Sequence, residues 1–386
     1  MFYEIRNTKY EIRIQMNSFR KNLQRNSVIK FCASLNITLL CLVLLFILTL
    51  WGTVDQVYNG LYLAQERFFY SFFFTFAGFI PFPGAQLVLW VFFINLVCVA
   101  LTRLVYKWDQ AGIILTHFGL LLFFVAAFAT YHGTEESHIT LREGEGTNVA
   151  QAYHDWELAV WTEGDNARNV VAWNANGLRP NDRLAFTEYG LTATVGHYHP
   201  NAEAYGTGKL SPDVVSASGI QTIKEVPLDK EPEKNIPGGL LTVRGAGPLE
   251  VSVLLYGGEE QPAEITAGDK TYFMQLRRKR SPLPFILRLK DFTAEWYPNT
   301  EIARSYKSLV EITPAGGGSR EVLISMNKPF RYKNFTVYQS SYSVDRFGRE
   351  SSTLAVVKNA GRLLPYFASF ITFGGLALHF LLMAFK

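Results

Sequence analysis

Hydrophobic positions along the 386-residue chain fall into two regimes. Near the ends, mostly apolar residues run for about twenty positions, the length needed to cross roughly 30 Å of hydrocarbon as a helix. Four such stretches stand out: Phe31 to Trp51, Leu87 to Val105, Ala111 to Tyr131, and Pro365 to Phe385. The second is broken only by Asn95, Thr102 and Arg103. Between the third and fourth, over 132–364, the pattern changes to short alternating runs separated by Gly, Pro and Asn. Leu191 to His199, Glu250 to Leu255, Thr271 to Leu276, Phe285 to Leu289, Tyr306 to Ile312 and Thr353 to Val357 are such runs, rich in Val, Ile, Tyr and Thr. Alternation of this kind predicts strands, and turn signals at short intervals predict a sandwich or barrel. The expected fold is a membrane protein: four transmembrane α-helices plus a large all-β extracytoplasmic domain inserted between helices 3 and 4.

The expected boundaries are a basic N-terminus over 1–30, spans over 31–51, 87–105, 111–131 and 365–385, an outer loop over 52–86 and the β-rich region over 132–364. The outer loop carries an aromatic segment, Phe68 to Phe79, that reads as a short helix lying in the membrane interface. The first span is no signal peptide, because its apolar run is too long and no small-residue cleavage site follows.

Charge orients the spans. Residues 1–30 carry seven basic side chains against two acidic ones, and loop 52–86 carries Arg67 as its only basic group. Arg103 and Lys107 mark the turn after the second span, and Lys386 ends the chain. The positive-inside rule then puts both termini in the cytoplasm and 132–364 outside, in a bacterial inner membrane or its thylakoid equivalent. Within the outer region, 132–269 holds nine basic and 21 acidic residues, whereas 270–362 holds 17 basic and seven acidic. Either two layers compensate each other, or the basic half, with its Arg277-Arg278-Lys279-Arg280 run, meets an anionic partner. Nucleic acid is not an expected partner.

Composition narrows the chemistry. Only 18% of residues are charged, against about 25% in soluble domains. The three cysteines, Cys32, Cys41 and Cys98, lie in or beside spans, and no CxxC or CxxCH occurs. The chain therefore carries neither a thiol–disulfide centre outside the membrane nor a covalent c-type haem. No GxSxG, HExxH, P-loop or dinucleotide fingerprint is present. No catalytic residue is expected.

The histidines remain. His117, in LTHFG, sits six residues inside the third span, and His379, in LALHF, six residues before the end of the fourth. An ionisable group within a span is costly and marks a functional site by default. With the two spans antiparallel, each imidazole is expected roughly 9 Å below the cytoplasmic interface. Two imidazoles at one depth could hold one haem iron between them. Gly112, Gly119, Gly374, Gly375 and Ala377 would leave room for the macrocycle. Interhelical hydrogen bonding or snorkelling is the alternative. His197 and His199, in VGHYHP, share a strand face but lack an evident third ligand.

Motif order then carries a resemblance. Trp51-Gly52-Thr53-Val54, GLYLAQERFFYSFF, PFPGAQLVLWVFFINL, AGIILTHFGLLL, SHITLREGEG, LPFILRLKDFTAEWYPNTEIARSYKSLVEI and MNKPFRYKNFTVYQSSY together resemble the ResB family, also called CcsB. The stretch 150–270 is the least similar. The resemblance implies a subunit of the system II cytochrome c synthase, an accessory rather than a catalytic chain. It implies a CcsA (ResC) partner carrying a tryptophan-rich WWD segment, transported haem b, and delivery to the CxxCH of apocytochrome c. A separate thiol-reducing protein would keep those cysteines reduced. In that family a histidine of the third span ligates haem, and His117 is the matching position; the opposing ligand is placed on the partner. His379 therefore competes with a partner histidine as second ligand. None of the seven tryptophans forms a WWD cluster, so ligation chemistry belongs to the partner. A bis-His membrane b-type cytochrome and a haem-free scaffold remain as alternatives.

Overall fold

The computed structural model describes residues 22–76, 78–163, 169–206, 214–245, 250–267, 270–300 and 302–385. The expected basic segment over 1–30 therefore lies largely outside the described residues. Two compact units emerge: residues up to 134 together with 359 onward, and residues 135–358.

The first unit is helical. Four helices are long and apolar enough to cross a membrane: α1 (Leu35–Asn59), α2 (Ala85–Thr102), α3 (Ala111–Gly133) and α4 (Leu364–Ala384). They are apolar on every side yet mostly uncovered, with only 11–28% of each apolar window buried. Helices that are hydrophobic all round are stable where protein or lipid covers them.

A short helix, Ser27–Cys32, precedes α1 and breaks at Ala33. Asn26 caps the short helix and Ser34 caps α1, so each start has its own side-chain acceptor. The break is fixed from α2. Asn95, 1% exposed, donates its amide to the carbonyls of Cys32 and Ser34 and accepts from Thr38 Oγ1 at 2.7 Å.

The aromatic outer loop differs from its expected helix. Phe73–Phe76 (β1) and Ile80–Pro83 (β2) form an antiparallel hairpin after a π-helical turn over Gln65–Phe69. Phe and Thr favour extended backbone. Gly78 adopts φ 82° within the connection, and Pro81 and Pro83 lack the N–H a helix interior requires. The hairpin folds back on α1, where Trp51 lies 4.6 Å from the Phe76 ring and 5.5 Å from Phe82. Arg67 sits over Phe68 and Phe74 and reaches Asp55 at 3.5 Å.

The second unit is β-rich and is built on two strands that run through both of its cores, β4 (Gly146–Trp161) and β14 (Lys270–Trp296). The sequence reads Thr271 to Leu276 and Phe285 to Leu289 as separate strands because a basic run and two prolines intervene. They form one strand instead, with register shifts against β4 at Arg278/Arg280 and Pro282/Leu287. Bulges of this kind bend a strand without ending it.

One core lies between the ladder formed by β4, β14, β5 (Val170–Asn174) and β13 (Ala263–Ala267) and a five-stranded sheet. That sheet runs β6 (Arg183–Phe186), β7 (Leu191–His199), β11 (Gly238–Arg244), β12 (Glu250–Tyr256) and β9 (Val214–Val215). Leu158, Val160, Met274 and Leu276 meet Phe186, Val195, Val243 and Val253 there. The other core lies inside a curled sheet ordered β16 (Arg320–Ser325), β15 (Ala303–Pro314), β14, β4, β3 (Thr134–Arg142), β19 (Glu350–Asn359), β18 (Phe335–Val344) and β17 (Phe330–Tyr332). All eight strands contribute to it, with Phe285, Leu287, Ile312, Ile324, Val337 and Leu354 buried together. The Gly-rich turn at 313–318 joins β15 to β16, and Gly317 and Gly318 take φ 83° and 82°.

Candidate functional site

Packing between α3 and α4 sets where the two membrane histidines lie. Both helices approach on glycine. A Cβ on Gly112 would lie 2.3 Å from the His379 nitrogen, one on Gly375 would lie 2.6 Å from the Thr116 nitrogen, and one on Gly119 would lie 2.7 Å from the Thr372 nitrogen. The antiparallel register therefore matches 112 with 379, 116 with 375 and 119 with 372. By the same register His117 stands level with Gly374, and His379 is five residues further along α4. Five helical residues rise about 7.5 Å. The expected common depth is not what the packing produces. Composition can place each histidine only relative to its own span end, whereas the glycine contacts decide how the helices slide.

Rotation separates the two as well. Gly112, Thr116 and Gly119 form the stripe of α3 that meets α4. His117 belongs to a different stripe, with Phe124 and Phe128 at i+7 and i+11. Those rings pack on α2, where Phe124 lies 5.6 Å from Phe92 and from Phe93, and Phe128 lies 6.1 Å from Trp90. His379 lies at the α3–α4 contact, its ring 5.8 Å from that of Phe380. The chain does not bring His117 and His379 together as facing ligands.

The chemistry of His117 is defined by one hydrogen bond. Its Nδ1 lies 2.9 Å from the carbonyl oxygen of Ile113, one turn back on α3. A carbonyl can only accept, so Nδ1 carries a proton and Nε2 is the nitrogen left to face a ligand. A backbone carbonyl in this role both orients a ring and raises the basicity of its other nitrogen, the usual outer support of a metal-binding imidazole. The donor set thus fits a haem-iron ligand: one half-buried imidazole, held by Ile113 through Nδ1, its Nε2 without a partner among the described residues.

The outer histidines are held by local contacts. His197 and His199 stand side by side on β7 with ring centroids 5.4 Å apart, and His199 lies 3.5 Å from Glu225. Burial and the neighbouring His199 hold His197 below its ordinary pKa. Among the described residues no group of three His, Cys, Asp or Glu side chains is arranged to hold a metal ion. His138 stacks on Tyr153 at 4.7 Å. Burial, then the Arg278 guanidinium, lower its pKa. His132 packs on Phe128 at 4.4 Å.

The basic run is partly consumed inside the β unit. Arg277 pairs with Glu157 at 2.9 Å and lies over Trp161, while Arg278 donates to the carbonyls of Tyr153 and Glu233 and covers Trp156. Lys279 and Arg280 remain exposed.

Two features escape a sequence reading. Asn95 registers only as an interruption in an apolar run, yet it ties three backbone and side-chain groups. Gln275 looks like an ordinary strand residue, and only the paired strands reveal it in the wall of a cavity.

Residues 250–363 match the model of the ResB-like family. The cytochrome c biogenesis protein CcsB of Gloeobacter violaceus is 26% identical over 121 residues, which make up 28% of this chain and 26% of that protein. The cytochrome c biogenesis protein Ccs1 of Heterosigma akashiwo is 38% identical over 58 residues, 15% of this chain and 14% of that protein. Ccs1 of a second strain of the same organism matches to the same extent. The matched segments span about a quarter or less of the length of these curated relatives. The resemblance to the ResB/CcsB family read from the motifs is borne out by these matches.

Proposed function

We propose that this chain acts in cytochrome c biogenesis of the system II type, as a membrane subunit that helps carry haem b across the bilayer and present it for attachment to apocytochrome c. The observation that carries the reading is the match of residues 250–363 to the ResB-like family, joined to similarity to cytochrome c biogenesis proteins and a helix histidine held through Nδ1. The termini would be cytoplasmic and the β unit would face the opposite compartment, following the basic residues at 1–30, 102–110 and 386.

His117 would hold the haem through Nε2, with the Ile113 carbonyl keeping the proton on Nδ1. Haem supplies the iron centre and the vinyl groups that become thioether-linked to the cysteines of CxxCH. His117 would orient it from α3. Since Gly374, not His379, stands level with His117, and His117 lies off the stripe that meets α4, the second ligand to haem would come from a CcsA/ResC-like partner rather than from His379. That separation also speaks against a self-contained bis-His cytochrome. Thiol reduction would be left to another protein, because the three free cysteines are Cys32, Cys41 and Cys98, none of them in the β unit.

Replacement of His117 by Ala in a strain making normal amounts of both subunits tests this. Holocytochrome c should fall to a small fraction of the parental level and recover when imidazole is added to the medium. Undiminished maturation would refute the role of His117.

A further inference from the structure

A cavity of about 690 Å³ opens in the β unit beside the β4–β14 ladder. Phe273, Gln275 and Arg277 alternate along one face of β14, and their cross-strand partners are Trp161, Ala159 and Glu157. The opposite face of the same ladder, with Leu158, Val160, Met274 and Leu276, is core. The cavity is therefore floored by the outer face of a sheet and is separate from the membrane histidines. Trp161 and Phe273 stack there with centroids 5.9 Å apart and ring planes 18° apart. Glu264 continues the row, since it pairs with Phe273 from β13.

Carboxylates outnumber guanidinium groups in the lining, three to two. Glu163, Glu260 and Glu264 line the cavity, as do Arg277 and Arg280. Arg277 is neutralised by Glu157, both side chains being about nine-tenths buried. Gln275 is 8% exposed. Its amide nitrogen donates to the carbonyls of Glu259 and Glu260, at 3.3 and 3.0 Å. Two carbonyl neighbours fix that end as the nitrogen, so Oε1 is an acceptor with no partner among the described residues, set in the cavity wall. As an open acceptor in the cavity wall, it is available to a ligand donor.

The opening lies where both sheets end. Val215, Ser216 and Ala217 come from β9 and the residues after it, and β9 is the last strand of the five-stranded sheet. Glu260, Gln261 and Pro262 lead into β13, which pairs with β14 alone. Strands at sheet edges offer main-chain groups to an added extended segment, while pockets select its alternate side chains.

The geometry points to a docking site for an extended polypeptide segment that places a lysine or arginine side chain into this cavity. The cation meets the carboxylates of Glu260 and Glu264 and donates to Gln275 Oε1, and its aliphatic stem lies along the Trp161–Phe273 floor.

The test uses the full-length chain in a non-ionic detergent. The probe is a fluorescein-labelled, end-blocked octapeptide of alternating Lys and Val, with a Glu/Val counterpart. Fluorescence anisotropy should show saturable binding of the Lys peptide and none of the Glu peptide. Glu260→Gln with Glu264→Gln should weaken it about tenfold or more, and Gln275→Leu should do the same with unchanged near-UV circular dichroism. Glu203→Gln with Glu225→Gln removes equal charge from β8 (Ala202–Tyr205) and β10 (Thr222–Glu225), and should change binding less than about twofold. Absence of saturable binding below about 1 mM, equal loss in the two Glu pairs, or undiminished binding by the cavity variants would each overturn the proposal.

Discussion

Gly112 of α3 packs against the backbone of His379 of α4, close enough that a Cβ would lie 2.3 Å from the His379 nitrogen and 2.5 Å from its Cα. Backbone cannot yield as the end of a flexible side chain can, so an added methyl must separate the helices. Small residues at such contacts are what allow membrane helices to approach. Gly112→Ala is expected to destabilise the α3–α4 pair by about 1–3 kcal/mol, the range for overpacking. Gly374→Ala serves as the control, because a Cβ there meets nothing within 4 Å. Thermal unfolding in detergent should show a lowered midpoint for the first variant and an unchanged or slightly raised one for the second.

Asn95 makes a second membrane prediction. Its amide holds the chain break between Cys32 and Ser34 and accepts from Thr38. Asn95→Leu keeps the branched shape and removes all three bonds. Interhelical bonds in membranes are worth roughly 0.6 kcal/mol each and up to about 1.7, so a loss of about 1–3 kcal/mol is expected. Limited proteolysis near Ala33 should accelerate in the variant; an unchanged digestion rate would show that the break is held by other contacts.

In the β unit, Arg277 and Glu157 form an ion pair with side chains only 12% and 10% exposed. Removing one partner strands the other charge, which costs about 3–5 kcal/mol, whereas removing both costs far less. Arg277→Met should therefore lower the unfolding midpoint sharply, and adding Glu157→Leu should restore most of it. A double variant as unstable as the single one would contradict the pairing.

Stability should also fall on mild acidification. Burial and Arg278 keep His138 neutral in the folded chain, below its ordinary 6.5, and His197 shifts the same way. Below about pH 6.5 the unfolded chain binds protons that the folded chain refuses, so protonation favours unfolding there. The stabilisation is complete above that pH and is lost as pH drops through the folded value. Melting midpoints between about pH 7.5 and 5 should decline, and less steeply in His138→Gln. A flat profile would mean that these imidazoles titrate normally.

Much of this fold is legible in the sequence because its signals are local. Twenty-residue apolar runs and period-two alternation announce the four helices and the β region without any tertiary contact. The aromatic loop misleads because ring content signals an interface but says nothing about backbone. Gly78 and the two prolines of β2 decide for a hairpin. The basic run between Leu276 and Phe285 looks like a break, whereas bulges carry β14 through it into the second core. The relation between His117 and His379 is least legible. Helix sliding and rotation depend on which glycines meet, and Gly112, Gly119 and Gly375 do not announce their partners. The cavity at Gln275 depends on strands more than a hundred residues apart in the chain, β4 and β14.

Under the proposed function His117 would bind haem through Nε2 and the second ligand would lie outside this chain. The most direct measurement is the reduced-minus-oxidised visible spectrum of the purified full-length chain, alone and co-purified with its CcsA-like partner. If the proposed partner is a CcsA-like protein, a b-type signal is expected in the co-purified sample, lost in His117→Ala and retained in His379→Ala. A signal from the chain alone that disappears in either variant, or one that survives His117→Ala, would contradict the account.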